Sequence, residues 1–460
     1  MNDGARCSAP TLTGAVPEID IRPAGRSWTG LIGARWASHG LRAQTRRFRE
    51  QLGLPTDQPI IATGHQPTMW HPGILSKYFA ADSAARRVGG HVVWLVADQD
   101  AVDPFLVRLP VLDASGSLTT SPLSLGQAPL AGHAASMLPA SDADPKINRT
   151  LALDSMSGGI ERIVNAYKAH RDAPNAAVQA GEATADLLGE LGLTGQILFA
   201  TRLNTTELFA SLVEQMREDP DRFVLTYNAA VASRPHAGVS MLDYSEVNHR
   251  HELPLWRIRP DEPRQRVFEE DLDSVPISEL APRALLMTAL LRLAGCELFI
   301  HGAGGAEYDW ITEEWIRNWL GVDLAPMTLT TATLRLPLES SAPTSQGVDH
   351  AVWAAQRARH DPALLGDQES AEIKQAYVDR IRSTRDAGEN PSAVFQEMQR
   401  FLRAYRKQNE TRLHGLDADA AELARRAGER AIAQDRTWAF ALHDRASLGV
   451  LRDTIDRTFD

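Results

Sequence analysis

Residues 63–77 concentrate side chains that can bind anions and move protons. Glycines let a backbone approach a ligand closely, and the first N–H groups of a helix beginning near Ile74 would form a natural anion site. Histidines can donate to phosphate oxygens or shuttle protons. The candidate catalytic residues are His65 and His71, and the candidate ligand-binding residues are Thr63, Gly64, Gln66, Gly73 and Lys77. The alternative is a structural loop in which Pro72 merely starts a helix, but so many such side chains at one strand end favour a functional site.

A second glycine-rich segment, residues 301–309, follows another apolar run. Three glycines between a strand and a helix can cradle a phosphate. The segment is not a Walker A loop, because no Gly-Lys-Ser/Thr follows, and it is not the standard dinucleotide fingerprint. Its candidate catalytic residues are His301 and Glu307, with Glu307 as general base, and its candidate ligand-binding residues are Gly302, Gly304, Gly305 and Tyr308. The alternative is a tight turn, and Asp309 is expected to cap the next helix.

Acidic residues follow the apolar run at 92–97. Asp98 and Asp100 could hold a ribose, a metal ion or a substrate amine at the end of a strand. The alternative, that they are solvated turn residues, stays open. Asp98 is the candidate ligand-binding residue of this group.

Two weaker clusters lie farther along the chain. His249, His251 and Glu252 could ligate a metal, but the His-Glu-x-x-His spacing does not occur, so a polar loop is favoured. Arg283 and Arg292 could face an anionic ligand or form ion pairs, and the sequence leaves both open.

The elements around the two glycine-rich segments predict that these segments meet. Residues 59–63 and 92–97 have the apolar pattern of short buried strands, and helical spacing of apolar residues separates them. Such a β-α-β unit predicts adjacent parallel strands. A further strand is predicted at 296–300. Because ligands of open α/β sheets bind at the carboxyl ends of the strands, the loops at 64–73 and 301–309 should face each other across one cleft.

The sequence therefore predicts an α/β protein with a Rossmann-like parallel-sheet core and a C-terminal helical hairpin or coiled-coil arm. The arm has narrow apolar stripes among many charges, which favours helix-on-helix contact and a homodimer through these helices. The predicted regions are a leader and N-terminal helix at 1–52, the core at 53–340, the arm at 341–432 and a return to the core at 433–460.

Local patterns add further expectations. They are a loose leader at 1–26, an amphipathic helix at 27–52, a surface excursion at 113–150, mostly helix at 151–220, strands at 223–227 and 437–442, and a last helix at 447–455.

Composition narrows the class of protein. A chain of 460 residues with 43% hydrophobic content can build two or three compact units. A net charge of −11 disfavours nucleic-acid binding. Neither a membrane-spanning run nor a signal peptide is expected, and two cysteines, Cys7 and Cys296, fit a reducing, cytoplasmic location.

Several segments, in order along the chain, resemble the family of the bacillithiol biosynthesis cysteine-adding enzyme BshC. The first match is Thr63-Gly64-His65-Gln66 with Pro72-Gly73 and Lys77, which is similar to that family's Thr-Gly-Gln-Gln, Gly-Pro and Lys. The second is Val93-Trp94-Leu95-Val96 before Asp98, which is similar to the family's apolar strand and acidic run. The third is Gly304-Gly305-Ala306-Glu307-Tyr308, which is similar to its Gly-Pro-Gly-Glu-Ile-x-Tyr. The resemblance implies a Rossmann-like nucleotide-binding fold akin to class I synthetases, a C-terminal coiled coil, and ligation of cysteine to a glucosamine-malate amine. The chain departs from the family at His65, in the spacing to Lys77 and at 98–101.

The residues and the resemblance together predict an enzyme that binds an ATP- or ADP-type nucleotide or another phosphorylated small molecule and performs ligase-like or nucleotidyl-transfer chemistry. One alternative is a metal-dependent hydrolase that uses His65, His71, Asp98, Asp100 and His301. Another is a non-catalytic scaffold that displays its C-terminal helices to a partner.

Overall fold

The computed structural model describes residues 17–40, 42–129, 131–145, 153–245, 250–338 and 345–460. The chain forms two compact units. The first comprises Met1–Val111, Thr120–Leu336 and Arg436–Asp460, and the second comprises Leu112–Thr119 and Pro337–Asp435.

The strands in chain order are β1 (Glu18–Arg22), β2 (Ile60–His65), β3 (His91–Val96), β4 (Leu106–Leu112), β5 (Leu118–Ser124), β6 (Gln196–Phe199), β7 (Tyr244–Ser245), β8 (Arg250–Arg257), β9 (Gln265–Phe268), β10 (Leu280–Pro282), β11 (Leu298–His301) and β12 (Met327–Thr333). The α-helices are α1 (Trp28–Arg35), α2 (Ala43–Leu52), α3 (Pro72–Val88), α4 (Ser157–Ala169), α5 (Ala176–Gly189), α6 (Glu207–Glu218), α7 (Pro220–Ala232), α8 (Ala284–Leu290), α9 (Ala303–Leu320), α10 (Ser345–Ala358), α11 (Gln368–Asp386), α12 (Ser392–Gln408), α13 (Glu410–Gln434) and α14 (Arg445–Asp456).

The first unit is α/β and is built on a mixed sheet of mostly parallel strands. The strand order is β1-β12-β11-β2-β3-β6, and β1 alone among these six runs antiparallel to its neighbour. The prediction that 59–63 and 92–97 form adjacent parallel strands is confirmed, because β2 pairs in parallel with β3 from Ile60 opposite His91 to His65 opposite Val96.

The order in which the chain adds strands to the sheet reverses between the parallel strands β2 and β11. From β2 the chain passes through α3 to β3 and on to β6, and it then returns to the other side of β2 to form β11, α9 and β12. The two connections leave the centre of the sheet in opposite directions. In open α/β sheets the crevice at the carboxyl ends of two such strands is where ligands bind.

The two faces of the sheet are covered by different helices. Ile60, Ala62 and Val93 alternate onto one face and join a large apolar core with Ile311 and Trp315 of α9. On the other face, the ring of Trp94 lies 4.5 Å from that of Trp70, which in turn lies 6.0 Å from Tyr78 of α3. The residues at the carboxyl ends of β2 and β11 are therefore held between two packed layers.

Antiparallel pairing forms the smaller sheets. Strands β10, β8 and β7 pair in that order, and β9 also pairs with β8. Strands β4 and β5 form a two-stranded sheet.

Four expectations are corrected. Residues 18–22, expected in a loose leader, pair with β12 as β1. Residues 223–227 are helical because Asp219 caps α7 and Pro220 occupies its first turn, with apolar residues three and four apart on the buried side. Residues 437–442 form no strand; a 3-10 turn covers Phe440–Leu442. Asp309 lies inside α9, which begins at Ala303. The remainder of the predicted leader, residues 1–16, is outside the described residues.

The second unit contains the helical arm predicted at 341–432, whose helices are α10, α11, α12 and α13. Ala358, Leu402 and Leu413 form a small buried cluster with Leu365 and Tyr405. In the parts of the chain that the structure describes, no helix has the length and apolar character needed to cross a membrane.

Candidate functional site

A cavity of about 500 Å³ opens at the carboxyl edge of the sheet, between β2 and β11. That volume is within the range of small-molecule sites, roughly 300–1,000 Å³. The prediction that the two glycine-rich loops share one cleft is confirmed. The lining residues are Gly64, His65, Gln66, His71, Gly73, Ile74, Lys77, Leu95, Ala97, Asp100, Ala284, Met287, Thr288, Phe299, His301, Gly302, Ala303, Gly304, Gly305, Tyr308, Thr331 and Arg436.

Lys77 places a buried amine in the wall of this cavity. The residue is 6% exposed, and its Nζ donates to the carbonyl of Gly64 at 2.5 Å. Burial lowers the pKa of Lys77 to about 8. Among the described residues no carboxylate forms an ion pair with it, although a buried ammonium ordinarily has such a partner. An anion bound in the cavity would compensate this charge.

The start of α9 lies beside this amine. Gly302 is the N-cap residue and has no side chain to cap the helix, and the N–H of Gly305 donates back to the Gly302 carbonyl at 3.0 Å. The N–H groups of Ala303 and Gly304 donate to no group that the structure describes. A Cβ built on Gly302 would lie 3.9 Å from the Cδ of Lys77. Backbone donors, the helix dipole and an ammonium group thus converge on one region.

The start of α3, predicted to supply anion donors, does not supply them at its first residues. His71 is the N-cap residue. Its Nδ1 accepts a hydrogen bond from the N–H of Gly73 at 3.0 Å, and its carbonyl oxygen accepts one from the N–H of Ile74 at 2.9 Å. A Cβ on Gly73 would lie 2.9 Å from the carbonyl oxygen of Ala332, so Gly73 is required for close packing. His71 and Gly73 line the cavity and organise the helix that carries Lys77.

His301 is held by a buried carboxylate. Its Nε2 lies 2.8 Å from the Oδ2 of Asp309, and the two side chains are 6% and 0% exposed. Arg292 also donates to Asp309, at 2.5 Å, and pairs with Glu313. Burial alone would raise the pKa of Asp309, but the charges of His301 and Arg292 hold it below its usual value.

This arrangement assigns the two ring nitrogens of His301 different roles. A carboxylate accepts from Nε2–H, so in the neutral imidazole Nδ1 carries the lone pair. A Cβ on Gly305 would lie 2.6 Å from that Nδ1, so the close approach of α9 to the ring requires glycine here. Both residues line the cavity, where Nδ1 can accept a proton from a bound nucleophile.

His65 and Tyr308 contribute neutral side chains to the cavity near pH 7. Burial and the charge of Lys77 lower the pKa of His65 to about 3, and its Nδ1 lies 3.2 Å from the Gln66 carbonyl. Burial, with the nearby carboxylates, raises the pKa of Tyr308 to about 12. Arg436 adds a second cation at the wall, and its Nη1 donates to Thr333 at 3.3 Å.

Asp98 and Thr63 lie outside the cavity lining. The carboxylate of Asp98 accepts from the backbone N–H of Thr201 at 2.9 Å and from its hydroxyl at 2.6 Å, and burial raises its pKa to about 6. Thr63 donates to the Ile300 carbonyl at 3.0 Å, linking β2 to β11. Both residues therefore organise the edge of the sheet.

Asp100, two residues farther on, does reach the cavity. Its Oδ1 accepts from Arg264 at 3.0 Å, and its Oδ2 accepts from Gln66 at 3.3 Å. The carboxylate is thus already neutralised, and Gln66 is oriented by it.

The remaining candidates are placed as follows. Glu307, predicted as the general base, is exposed on α9 and does not line the cavity. Arg283 forms an ion pair with Glu252 at 2.5 Å, and the Nε2 of His251 lies 2.8 Å from the Oδ1 of Asp221. His249 is outside the described residues. No group of three histidine, cysteine, aspartate or glutamate side chains in the described residues is arranged to hold a metal ion.

Several residues of the cavity were not predicted. Met287 and Thr288 come from α8, and Arg436 from the segment that precedes α14. The sequence did hint that His301 and Asp309 pair, because the two residues are eight positions apart at the start of a helix. Asp309 was instead interpreted as the cap of that helix, so the pairing was not predicted. No protein-family model and no curated protein matches the sequence.

Proposed function

We propose that the protein is an enzyme that binds a phosphate-bearing small molecule, such as an ATP- or ADP-type nucleotide, in the cavity between β2 and β11. The observation that carries the proposal is the buried ammonium of Lys77, which has no carboxylate partner among the described residues and lies beside the open start of α9. Burying such a cation costs several kcal/mol unless an anion compensates it. A phosphate group would accept from Lys77 and from the N–H groups of Ala303 and Gly304 together.

The apolar part of the cavity suits the rest of such a ligand. Leu95 and Phe299 come from the sheet, and Ala284 and Met287 come from α8. Arg436 offers a second positive charge, which fits a ligand with more than one phosphate or with an additional carboxylate.

The proposed chemistry is ligase-like or nucleotidyl transfer, with His301 as general base. Asp309 orients the ring and stabilises the imidazolium that forms when Nδ1 takes a proton from the attacking nucleophile. Lys77 and the start of α9 would stabilise negative charge that develops on the phosphoryl oxygens. His301 takes the role that the sequence suggested for Glu307.

At the level of the family, we propose that the sheet is a Rossmann-like core and that the second unit is a coiled-coil arm through which the protein forms a homodimer. Each of the segments that resemble the cysteine-adding enzyme of bacillithiol synthesis contributes some residues to the cavity lining, for example Gln66, Leu95 and Tyr308. This supports testing a thiol-containing amino acid as the second substrate. Light scattering tests the dimer, which a strictly monomeric protein would exclude.

Calorimetric titration of purified protein tests the binding proposal. The probes are ATP, ADP and inorganic pyrophosphate, and the variants are Lys77→Met and, as a control, Lys168→Met at an exposed lysine paired with Asp144. We expect at least one probe to bind the wild type and Lys168→Met alike, and to bind Lys77→Met about 10- to 100-fold more weakly, as expected for a lost charged hydrogen bond of roughly 1.5–3 kcal/mol. Equal binding by wild type and Lys77→Met, or no binding of any probe, would contradict the proposal.

A further inference from the structure

The chain uses lysine sparingly. Of its 48 basic residues, five are lysines: Lys77, Lys146, Lys168, Lys374 and Lys407. The described cations that are fully buried with a carboxylate partner are arginines, Arg49 with Glu297 and Arg292 with Asp309. Arginine therefore serves where a permanent buried charge is needed.

Lys77 differs from both groups. Lys168 and Lys374 are more exposed, with 42% and 23% of their side chains accessible, and each pairs with an aspartate. Lys77 is buried, lines the cavity, and donates one hydrogen bond, to a neutral carbonyl. A titratable amine, which arginine cannot supply, is thus placed at the ligand site.

The surroundings raise the neutral fraction of this amine above that of an exposed lysine. Burial lowers its pKa to about 8, so near pH 7 its neutral fraction is roughly three hundred times that of an exposed lysine. A desolvated lysine of this kind is nucleophilic toward carbonyl compounds. The same cavity contains His301, whose Nδ1 can accept and return protons.

We propose, resting on the function proposed above, that Lys77 is a nucleophile that forms a Schiff base with a phosphorylated aldehyde or ketone held at the start of α9. The ligand class is then a small molecule that carries both a phosphate and a carbonyl group. The phosphate is bound by the N–H groups of Ala303 and Gly304, and the carbonyl carbon is presented to Nζ.

The reaction balances without a further reactant. Nζ attacks the carbonyl carbon, and the electron pair of the C=O bond moves to oxygen, which receives a proton to give a carbinolamine. The C–O bond then breaks, the oxygen leaves as water, and the nitrogen lone pair forms the C=N bond. Summed from the ammonium form, R–NH₃⁺ and O=C give R–NH⁺=C and water. His301 carries two protons from nitrogen to oxygen, one when the carbinolamine forms and one when its hydroxyl leaves as water, and the positive charge stays beside the phosphate.

Reductive trapping on the wild-type protein tests the proposal. Pyridoxal 5′-phosphate, which carries an aldehyde and a phosphate, is incubated with the protein, the imine is reduced with borohydride, and the modified lysine is identified by peptide mass spectrometry. Pyridoxal, which lacks the phosphate, is the matched probe, and Lys168 in the same sample reports the labelling of an exposed lysine.

We expect Lys77 to be labelled at least about tenfold more than Lys168 by the phosphorylated probe, and much less by pyridoxal, because the phosphate anchors the carbonyl beside the amine. Labelling of Lys77 no higher than that of Lys168 would overturn the proposal. Equal labelling of Lys77 by both probes would also overturn it, since the phosphate would then have no role.

Two measurements on the wild type separate this proposal from the function on which it rests. Calorimetric titration with inorganic pyrophosphate reports anion binding alone, and reductive trapping reports the imine. Lys77→Arg, whose guanidinium cannot form an imine under these conditions, should give no adduct at position 77. A wild type that binds pyrophosphate but is not trapped leaves the proposed function standing and rejects the Schiff base; a wild type that neither binds nor is trapped rejects both.

Discussion

The Nζ of Lys77 donates a hydrogen bond to the carbonyl oxygen of Gly64 at 2.5 Å, which joins the second turn of α3 to the end of β2. The contact holds a cation against the edge of the sheet without neutralising it. Gly64 leaves little room for any other residue there, because a Cβ would lie 3.2 Å from the Leu95 carbonyl oxygen. The buried charge of Lys77 should therefore lower the free energy of unfolding below the value that packing alone would give.

Replacing Lys77 with methionine should stabilise the protein at neutral pH while weakening anion binding. The folded-state pKa is about 8, below the ordinary 10.5, so the unfolded chain binds more protons between these values. The free energy of unfolding of the wild type should then rise as pH increases from about 8 to about 10.5, and Lys77→Met should lack this rise. The difference at pH 7 is at most about 3 kcal/mol.

Urea denaturation at a series of pH values measures this difference. Lys168→Met is the control, because its charge is partly exposed and its removal should change stability by less than about 1 kcal/mol. A Lys77→Met variant that is less stable than wild type at pH 7 would mean that Lys77 is compensated in the free protein.

Gly305→Ala should displace the ring of His301. The new methyl group would lie 2.6 Å from Nδ1 and 3.2 Å from the hydroxyl of Tyr308, and the ring cannot retreat without breaking its bond to Asp309. We expect a loss of about 1–3 kcal/mol in stability, as for other overpacked sites, and weaker binding of the phosphorylated probe.

Gly304→Ala is the matched control for that substitution. A Cβ at Gly304 meets nothing within 4 Å, and alanine is the better helix former by up to about 1 kcal/mol. Denaturation and calorimetry should show this variant to be at least as stable as wild type, with ligand affinity retained. If the two alanine variants behave alike, the close approach of Gly305 to His301 has no consequence.

The pairing of His301 with Asp309 predicts a defined tautomer. Nitrogen NMR of the histidine ring should find Nε2 protonated and Nδ1 unprotonated in the neutral form. Asp309→Ala should lower stability by about 3–5 kcal/mol, because Arg292 and His301 lose a buried partner. Glu313→Ala should cost less, since that carboxylate is 20% exposed. If the neutral ring carries its proton on Nδ1, His301 is removed as the base.

Replacement by alanine should affect stability at Asp98 and ligand affinity at Asp100. Asp98→Ala loses two bonds to Thr201 and should reduce stability by about 1.5–3 kcal/mol without changing ligand affinity. Asp100→Ala releases Gln66 and Arg264 at the cavity wall and should change ligand affinity. Affinity loss confined to Asp98→Ala would restore the ligand-binding role expected for Asp98.

Periodicity and topology were sufficient to predict the location of the site. The apolar strands β2 and β3 and the helix between them were visible as patterns, and the rule that ligands bind at carboxyl ends of parallel strands brought residues 64–73 and 301–309 together. The same reasoning also selected residues that could bind a ligand but whose side chains do not line the cavity. Thr63 and Asp98 are next to the cavity in sequence, but their side chains satisfy backbone groups of the sheet edge.

Other features depend on tertiary contacts that one sequence does not display. The segment 223–227 has strand-like composition, yet capping by Asp219 and packing of Phe223 against Trp319 at 4.8 Å make it helical. Arg436 reaches the cavity from a part of the chain more than a hundred residues beyond β12. Local residue patterns carry no information about such a return.

A crystal soaked with tungstate, an analogue of phosphate with strong anomalous scattering, tests the central claim most directly. The claim is that Lys77 and the start of α9 form one anion site. It predicts a bound oxyanion with oxygens roughly 2.7–3.2 Å from the Nζ of Lys77 and from the N–H groups of Ala303 and Gly304. It also predicts that this density disappears in crystals of Lys77→Met. An unoccupied cavity at saturating tungstate, or an anion bound equally well in Lys77→Met, would contradict the account.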